Sequence, residues 1–331
     1  MQQGLEKLLR NSFVMMLSPT PTESEYCIHF QAFLTSAELS GFLLNNRLAW
    51  VKGQFPHLTQ VRVIVEGSTT AKPHHITTLA CLLEEYRQEG IMISFEDSGS
   101  VVYPYLEEIG FFARWQPGYS FDMESLLLPA DSRPFVLWQI QRETSDAYIQ
   151  SAYQHYVSHF FYGKDLSFLA TYLAELFNNV LDHAFAGEAT ERIAFAFLQY
   201  YPSRGRLFVS VSDFGMGIPA SVNRFLRSQG KEPIIPAEAV RWALKLHYTA
   251  KSKPHNRGWG LHTVSTGIEL LRGQLVIQTS RVVYAVVQSG KQRLSRLPET
   301  PFPGTTVSMT MFYDELPDEE ASIMDEESSL F

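Results

Sequence analysis

The sequence predicts an α/β protein with a small N-terminal domain and a larger C-terminal domain. Strand and helix patterns alternate over the first 112 residues, which is typical of parallel strands joined by crossover helices. The 331 residues suffice for two domains, and a content of 45% hydrophobic and 19% charged residues is ordinary for globular proteins with substantial cores. A stretch at 116–133 contains prolines and a glycine with little periodicity, so we predict a linker there.

The composition narrows the classes of function. A net charge of −8 does not favour broad nucleic-acid binding, which usually requires a basic surface, so we expect no direct nucleic-acid partner. Cys27 and Cys81 lack the spacing of metal ligands, and we expect both to be buried thiols in a reducing compartment. Because the start shows no secretory leader and no apolar stretch is long enough to span a bilayer, we expect a cytoplasmic protein without a membrane partner.

The first domain, residues 1–115, is predicted from three strands and three helices. β-Branched and apolar runs indicate the strands, and Pro73 with Gly90 brackets the longest amphipathic stretch as a helix. The predicted strands are 25–30, 61–65 and 91–95, and the predicted helices are 36–52, 73–88 and 104–109. This order favours parallel pairing of the strands.

The second domain, residues 134–313, contains both the apolar alternation of strands and the apolar spacing of helices. An acidic tail at 314–331 follows it. The runs 192–201 and 207–212 flank a turn around Gly205 and therefore predict an antiparallel hairpin. The other predicted strands are 134–141, 273–279, 282–287 and 306–312, and the predicted helices are 143–161, 171–184, 218–228, 236–247 and 258–271.

The helix at 171–184 carries the first candidate functional residues. Glu175, Asn179 and His183 follow one another at intervals of four and therefore share a helix face, opposite an apolar stripe. A carboxylate can act as a general base, and an amide oxygen is a ligand for a hard cation such as Mg²⁺. An ordinary amphipathic helix with a solvated polar face is the alternative at this point.

Two glycine-containing stretches add further candidates. Asp213 ends a predicted strand, where its carboxylate could accept a hydrogen bond from the amine of a base, and nearby glycines allow close approach of a planar ring. A basic loop then precedes glycines at a helix start, whose free N–H groups suit phosphate oxygens. A capped turn and a solvated charged loop are the respective alternatives. The candidate residues in these stretches are Asp213, Gly215, Gly217, Ile218, Lys251, Lys253, Arg257, Gly258, Gly260 and Leu261.

The segments ELFNNVLDHA, DFGMGI, RGWGL and the late Gly304-Thr305 resemble, in order and approximate spacing, the boxes of the GHKL ATP-binding superfamily. Gyrase, a class of heat-shock chaperones, sensor histidine kinases and MutL share this domain. The resemblance covers 134–313 and implies a GHKL (Bergerat-type) α/β sandwich with helices on one face of a mixed sheet. The strand–helix order of residues 1–115, with SFEDSGSVVYPYLEEIGFF at its end, resembles more loosely the STAS-like domains of bacterial partner-switching proteins, although the usual acceptor serine is absent.

The resemblance implies a role for each motif residue, with ATP and Mg²⁺ as the bound groups. Asn179 would coordinate Mg²⁺, Glu175 would be the general base, and His183 would be a positioning group. Asp213 would bind the adenine amine, with Thr305 supporting it through a water. The adenine pocket would be shaped by Gly215, Gly217 and Ile218, and the phosphates and lid contacts would involve Lys253, Arg257, Gly258, Gly260 and Leu261.

Within the superfamily, the pattern ELxxNxxxHA resembles the anti-sigma-factor serine kinases. The expectation is therefore a Mg-ATP-dependent serine/threonine protein kinase whose partner is a STAS-type or sigma-factor-pathway protein. Two alternatives stay open. One is an ATP-gated protein-binding switch with little or no phosphotransfer, and the other is a GHKL ATPase, for which a homodimer would be expected.

Overall fold

The computed structural model describes residues 24–185, 192–245, 260–297 and 301–319. The chain is a mixed α/β protein with one parallel sheet and one antiparallel sheet, which confirms the predicted α/β class. The parallel sheet is built from the first part of the chain, and the antiparallel sheet is built from the part after residue 137.

The N-terminal sheet has the strand order β1-β2-β3 with parallel pairing throughout, as predicted. Its valines at 61, 63 and 65 point to the buried side, while the intervening residues are half-buried. The elements are β1 (Glu25–Phe30), α1 (Ser36–Asn46), α2 (Leu48–Gln54), β2 (Gln60–Val65), α3 (Pro73–Gln88), β3 (Met92–Asp97) and α4 (Val102–Glu108). Two 3₁₀ turns follow, at Phe112–Trp115 and Met123–Leu126.

The predicted helix at 36–52 is wrong as a single element, because the chain breaks at Arg47. This residue has φ −59° and ψ 136°, outside the helical region. Helix α3 supplies the reason: Tyr86 donates to the Asn46 carbonyl oxygen (2.6 Å), and the Glu85 carboxylate accepts from Arg47 Nε (2.8 Å) and from the Leu48 backbone N–H (3.3 Å). Glu85 thus caps the start of α2, a contact that local sequence does not reveal.

The C-terminal sheet has seven strands within the described residues, all antiparallel, in the order β4-β5-β6-β10-β7-β8-β9. The predicted hairpin is confirmed as β5 and β6. The elements are β4 (Trp138–Gln139), α5 (Ser145–His159), α6 (Ser167–Asn179), β5 (Ala194–Tyr201), β6 (Arg206–Asp213), α7 (Gly217–Ser228), α8 (Pro236–Ala243), α9 (Gly260–Leu270), β7 (Gln274–Ser280), β8 (Val282–Val286), β9 (Gln292–Arg296) and β10 (Phe302–Phe312).

Three strands differ clearly from the prediction, and one of them is β10, which begins at Phe302 rather than at 306. The expected strand at 134–141 is reduced to the two residues of β4 plus a single bridge between Pro134 and Gln199. Strand β9 was missed because its sequence, QRLSR, is polar and mostly exposed, so it shows no apolar alternation. It pairs with β8 at the edge of the sheet, where burial does not constrain its composition.

Both faces of the C-terminal sheet are covered. Ala194, Ala196 and Leu198 of β5 pack toward the core formed with α5, α6 and α9, whereas Phe195 and Phe197 pack against the N-terminal part. Helix α3 lies on that second face, against β5, β6 and β10, and is almost wholly buried. One continuous apolar core therefore joins the parallel sheet to the antiparallel sheet.

Cys81 lies on α3 and is buried, as predicted. The prediction was wrong for Cys27, which is only half-buried, because it points to the open face of the parallel sheet beside Arg62. Among the helices that the structure describes, none is both long and apolar enough to cross a membrane.

Candidate functional site

The helix that carries the first motif changes its geometry at Asn179. Its apolar stripe is buried as predicted, through Leu173, Leu176, Phe177, Val180, Leu181 and Ala184. The predicted continuous α-helix to 184 is wrong in its last turn, because Val180–Ala184 is a π-helical turn. His183 lies on this wider turn and is therefore not in α-helical register with Asn179. The Met216 backbone N–H donates to the Ala184 carbonyl (2.7 Å), which ties the π turn to the glycine loop after β6.

Glu175 and Asn179 face the first residue of α9. A methyl group built on Gly260 would lie 3.8 Å from Asn179 Oδ1 and 4.0 Å from Glu175 Oε2. The side-chain nitrogen of Asn179 is buried and has no hydrogen-bond partner among the described residues. Burial raises the pKa of the Glu175 carboxyl above its ordinary value. The fold thus brings a carboxylate, an amide and a helix N-terminus together from two separate motifs.

Asp213 ends strand β6 as a buried carboxylate. The Gly215 backbone N–H donates to its Oδ1 (2.8 Å). Burial raises the pKa of Asp213 to about 7, although hydrogen bonds from the Gly215 and Thr305 backbones oppose this shift. A carboxylate with this little solvation gains from a further hydrogen-bond donor.

The two glycines of this loop occupy positions that a side chain cannot fill. A Cβ at Gly215 would lie 2.2 Å from the Ala184 carbonyl oxygen. Gly217 has φ +76°, and a Cβ there would lie 2.9 Å from Thr279 Oγ1. The close approach at Gly215 and the left-handed conformation at Gly217 explain why this loop needs glycine at both positions.

Thr279 is not among the site residues predicted from the sequence, although its hydroxyl connects the glycine loop after β6 to Gly304 and Thr305. Its hydroxyl accepts from the Ile218 backbone N–H (3.1 Å), donates to the Gly304 carbonyl (2.9 Å) and lies 3.2 Å from the Thr305 hydroxyl. Thr305 in turn is paired in register with Asp213 across β10 and β6. Thr279 stands at the end of an ordinary strand pattern, QLVIQTS, so no local signal distinguishes it.

Arg47 and Phe214 form a second contact that the sequence did not indicate. The Arg47 guanidinium carbon lies 4.6 Å from the centroid of the Phe214 ring, a cation–π distance. Phe214 directly follows Asp213, and Arg47 lies at the break between α1 and α2. The N-terminal part of the chain therefore touches the loop that carries the candidate adenine contacts.

The remaining candidates divide into two groups. The lid and phosphate-loop residues Lys251, Lys253, Arg257 and Gly258 lie outside the described residues, so these stay predictions. Leu261 is 9% exposed, and its side chain packs in the core, which leaves its backbone as the part that a ligand could reach.

Comparisons with known proteins do not assign the chain to a family. No protein-family model matches the chain, and no curated protein is significantly similar to it.

Proposed function

We propose that this chain binds Mg-ATP through a GHKL-type domain that follows a STAS-like N-terminal domain. The observation that carries the proposal is the meeting of Glu175 and Asn179 with Gly260 at the N-terminus of α9. Free backbone N–H groups at the start of a helix bind phosphate oxygens, so an anionic ligand is favoured beside these two side chains. The order of the motifs along the chain resembles the same superfamily.

Asp213 supports the base-binding half of the proposal. Its carboxylate is buried, and its pKa of about 7 reflects poor solvation of the charged form. The exocyclic amine of adenine would donate a hydrogen bond to this carboxylate and offset that loss of solvation. Gly215 and Gly217 allow the loop that follows Asp213 to pack closely against Ala184 and Thr279, and Thr305 lies opposite Asp213 in the sheet.

The residues beside Gly260 fit a magnesium ion that is held partly by phosphates. Asn179 supplies an amide oxygen, and its buried nitrogen has no hydrogen-bond partner within the part of the chain that the structure describes. In the part of the chain that the structure describes, no three His, Cys, Asp or Glu side chains cluster closely enough to hold a metal alone. Mg²⁺ commonly combines one or two protein ligands with phosphates and water, so Asn179 would hold it. The bound ion would offset charge on the phosphoryl oxygens.

A serine/threonine protein kinase is the activity we propose for this site. Glu175 would accept the proton of the acceptor hydroxyl, and its raised pKa makes it a stronger base than an exposed glutamate. Asn179 and the start of α9 would orient the phosphates, which is most of what phosphoryl transfer requires of a protein. A STAS-type or sigma-factor-pathway protein is the proposed acceptor.

The contact between Arg47 and Phe214 favours a second candidate function, an ATP-gated binding switch. Because an N-terminal residue touches the candidate adenine loop, nucleotide binding could bias the arrangement of the N-terminal domain without chemistry. Such a switch needs the binding residues Asn179 and Asp213 but not the base Glu175.

Incubation with γ-labelled Mg-ATP separates the two functions. The purified chain is tested alone and with candidate STAS proteins, beside Glu175→Gln and the control Glu238→Gln, which makes the same change at an exposed position of α8. We expect label on the acceptor with the wild type and the control, and none with Glu175→Gln. ATP binding without transfer of label would favour the switch, and failure to bind ATP, measured by calorimetry, would refute both functions.

A further inference from the structure

A pocket of about 540 Å³ lies at the free edge of strand β3, between that strand, the segment 114–121 and strand β4. Its volume is in the range of small-molecule sites, and junctions between parts of a chain are common places for them. None of its lining residues belongs to the candidate nucleotide site. We call it the β3-edge pocket, and its lining includes Met92, Arg87, Arg114, Trp115, Tyr119 and Gln139.

The wall of the pocket carries more positive than negative charge. Arg87 donates two hydrogen bonds to the buried Glu84 carboxylate (2.8 and 2.6 Å). Arg114, which is only 7% exposed, donates to the neutral amide oxygen of Gln139 (2.6 Å), and Gln139 in turn donates to Glu84 (3.3 Å). The Glu84 carboxylate is thus bound by Arg87 directly and by Arg114 only through Gln139, and none of the described residues that line the pocket is an Asp or a Glu.

Arg114 is a buried charge that makes no direct ion pair among the described residues, because Glu84 is connected to it only through Gln139. Its guanidinium carbon lies 4.5 Å from the Phe195 ring centroid and 5.5 Å from that of Tyr119. Its Nε and the indole nitrogen of the adjacent Trp115 are buried, and neither has a hydrogen-bond partner in the described structure. A buried charge is costly unless it is compensated, so an anion in the adjoining pocket would stabilise this arrangement.

The rest of the lining selects the shape of the anion. Four of the lining residues are aromatic, namely Trp115, Tyr119, Phe121 and Trp138. Rings of this kind pack against flat apolar groups. We propose that the β3-edge pocket binds a small monoanion with a flat apolar body, of which an aromatic carboxylate is the simplest example. This inference does not depend on nucleotide binding.

Fluorine NMR of protein labelled with 5-fluorotryptophan tests the proposal, with benzoate as the probe. Benzoate should shift the resonances of Trp115 and Trp138, while the resonance of Trp50, which is 59% exposed on α2, should stay in place. Benzylamine has a similar ring and the opposite charge, and it should leave all three resonances unchanged. Equal shifts with benzylamine, or no shift at the highest soluble concentration of benzoate, would overturn the proposal.

A matched pair of variants at Met92 tests the role of charge. Met92 is 60% exposed and lines the pocket, so substitution there should leave the fold intact. Met92→Glu adds a carboxylate that should weaken benzoate binding roughly tenfold, while Met92→Gln, of the same size, should change it less than about twofold. Equal benzoate affinity of the two variants would show that charge does not select the ligand and would contradict the proposal.

Discussion

The hydroxyl of Thr77, on helix α3, lies 2.7 Å from the hydroxyl of Ser212, on strand β6. Ser212 also lies 2.7 Å from the Thr306 hydroxyl, and Thr77 lies 2.9 Å from that of Ser210. All four hydroxyls are buried between the N-terminal helix and the C-terminal sheet. Ser212 immediately precedes Asp213, so this hydrogen-bonded group connects the N-terminal part to the strand that ends in the candidate site.

Thr77→Val should destabilise the protein by about 1–3 kcal/mol, because it preserves the shape of the side chain but removes a partner of two buried hydroxyls. Urea denaturation measures the change. Thr78→Val is the matched control: its hydroxyl donates to the His74 carbonyl within α3, so its loss should cost less. Equal costs for the two variants would contradict the importance of the contact between Thr77 and the sheet.

Since one apolar core joins both parts of the chain, we also expect one cooperative unfolding transition in urea.

Arg47→Met should weaken nucleotide binding at least two- to fivefold, because it removes a cation–π contact worth about 0.5–1 kcal/mol and also the hydrogen bond to Glu85. Without the guanidinium, Phe214 and the following backbone should become more mobile, so the Gly215 amide should exchange faster with solvent. Lys52→Met serves as the control, because Lys52 lies on α2 and pairs only with the exposed Glu89 in the described structure. Wild-type affinity together with unchanged exchange in Arg47→Met would rule out this coupling.

Asn179→Ala should lower the affinity for Mg-ATP at least tenfold, whereas Asn178→Ala should leave it nearly unchanged. The two residues are adjacent and both half-buried, but they point about 100° apart around α6, and Asn179 is the one beside Gly260. Calorimetric titrations with ATP, with and without Mg²⁺, measure the effect. If both variants lose affinity equally, the effect comes from the helix and not from the amide at 179.

The titration of the buried Asp213 carboxyl should be visible in the pH dependence of the free energy of unfolding. Its pKa is raised from 3.8 to about 7 on folding, so the folded state binds more protons than the unfolded state between these values. The contribution of Asp213 to the free energy of unfolding is therefore largest below pH about 4 and is lost as the pH rises through about 7. Denaturation curves should show that Asp213→Asn flattens this fall. An unchanged slope between pH 4 and 7 in the variant would disprove the assignment.

Gly304→Ala should destabilise the protein far more than Gly90→Ala. Both glycines have φ +71°, so both variants place alanine in the left-handed region at a cost of about 1–2 kcal/mol. A Cβ at Gly90 meets nothing within 4 Å, whereas one at Gly304 would lie 2.1 Å from the Asp213 carbonyl oxygen. Thermal unfolding of the pair separates backbone strain from the clash. Similar melting temperatures of the two variants would show that the backbone between β6 and β10 can move apart with little loss of stability.

Some features of the sequence were sufficient to predict what the structure contains. The apolar spacing of residues 173–184 identified the buried face of α6, and the bounds of β1 and α3 were predicted correctly from apolar runs and from Pro73. These predictions succeeded because hydrophobic periodicity and proline geometry act locally. Glu175, Asn179 and Asp213 could be selected as candidates for the same reason, since each stands at a recognisable place in a local pattern, and their chemical roles stay predictions.

Only the tertiary structure decided which of these groups meet. The break at Arg47 depends on Glu85 and Tyr86 of a later helix, and the π turn after Asn179 accompanies a hydrogen bond from Met216, which follows the next two strands. Thr279 became part of the site because strand pairing brings it beside Gly304. The burial of α3 between two sheets also depends on contacts between distant segments. Local propensity carries no information about such contacts, because their energies arise from atoms that only the folded chain brings together.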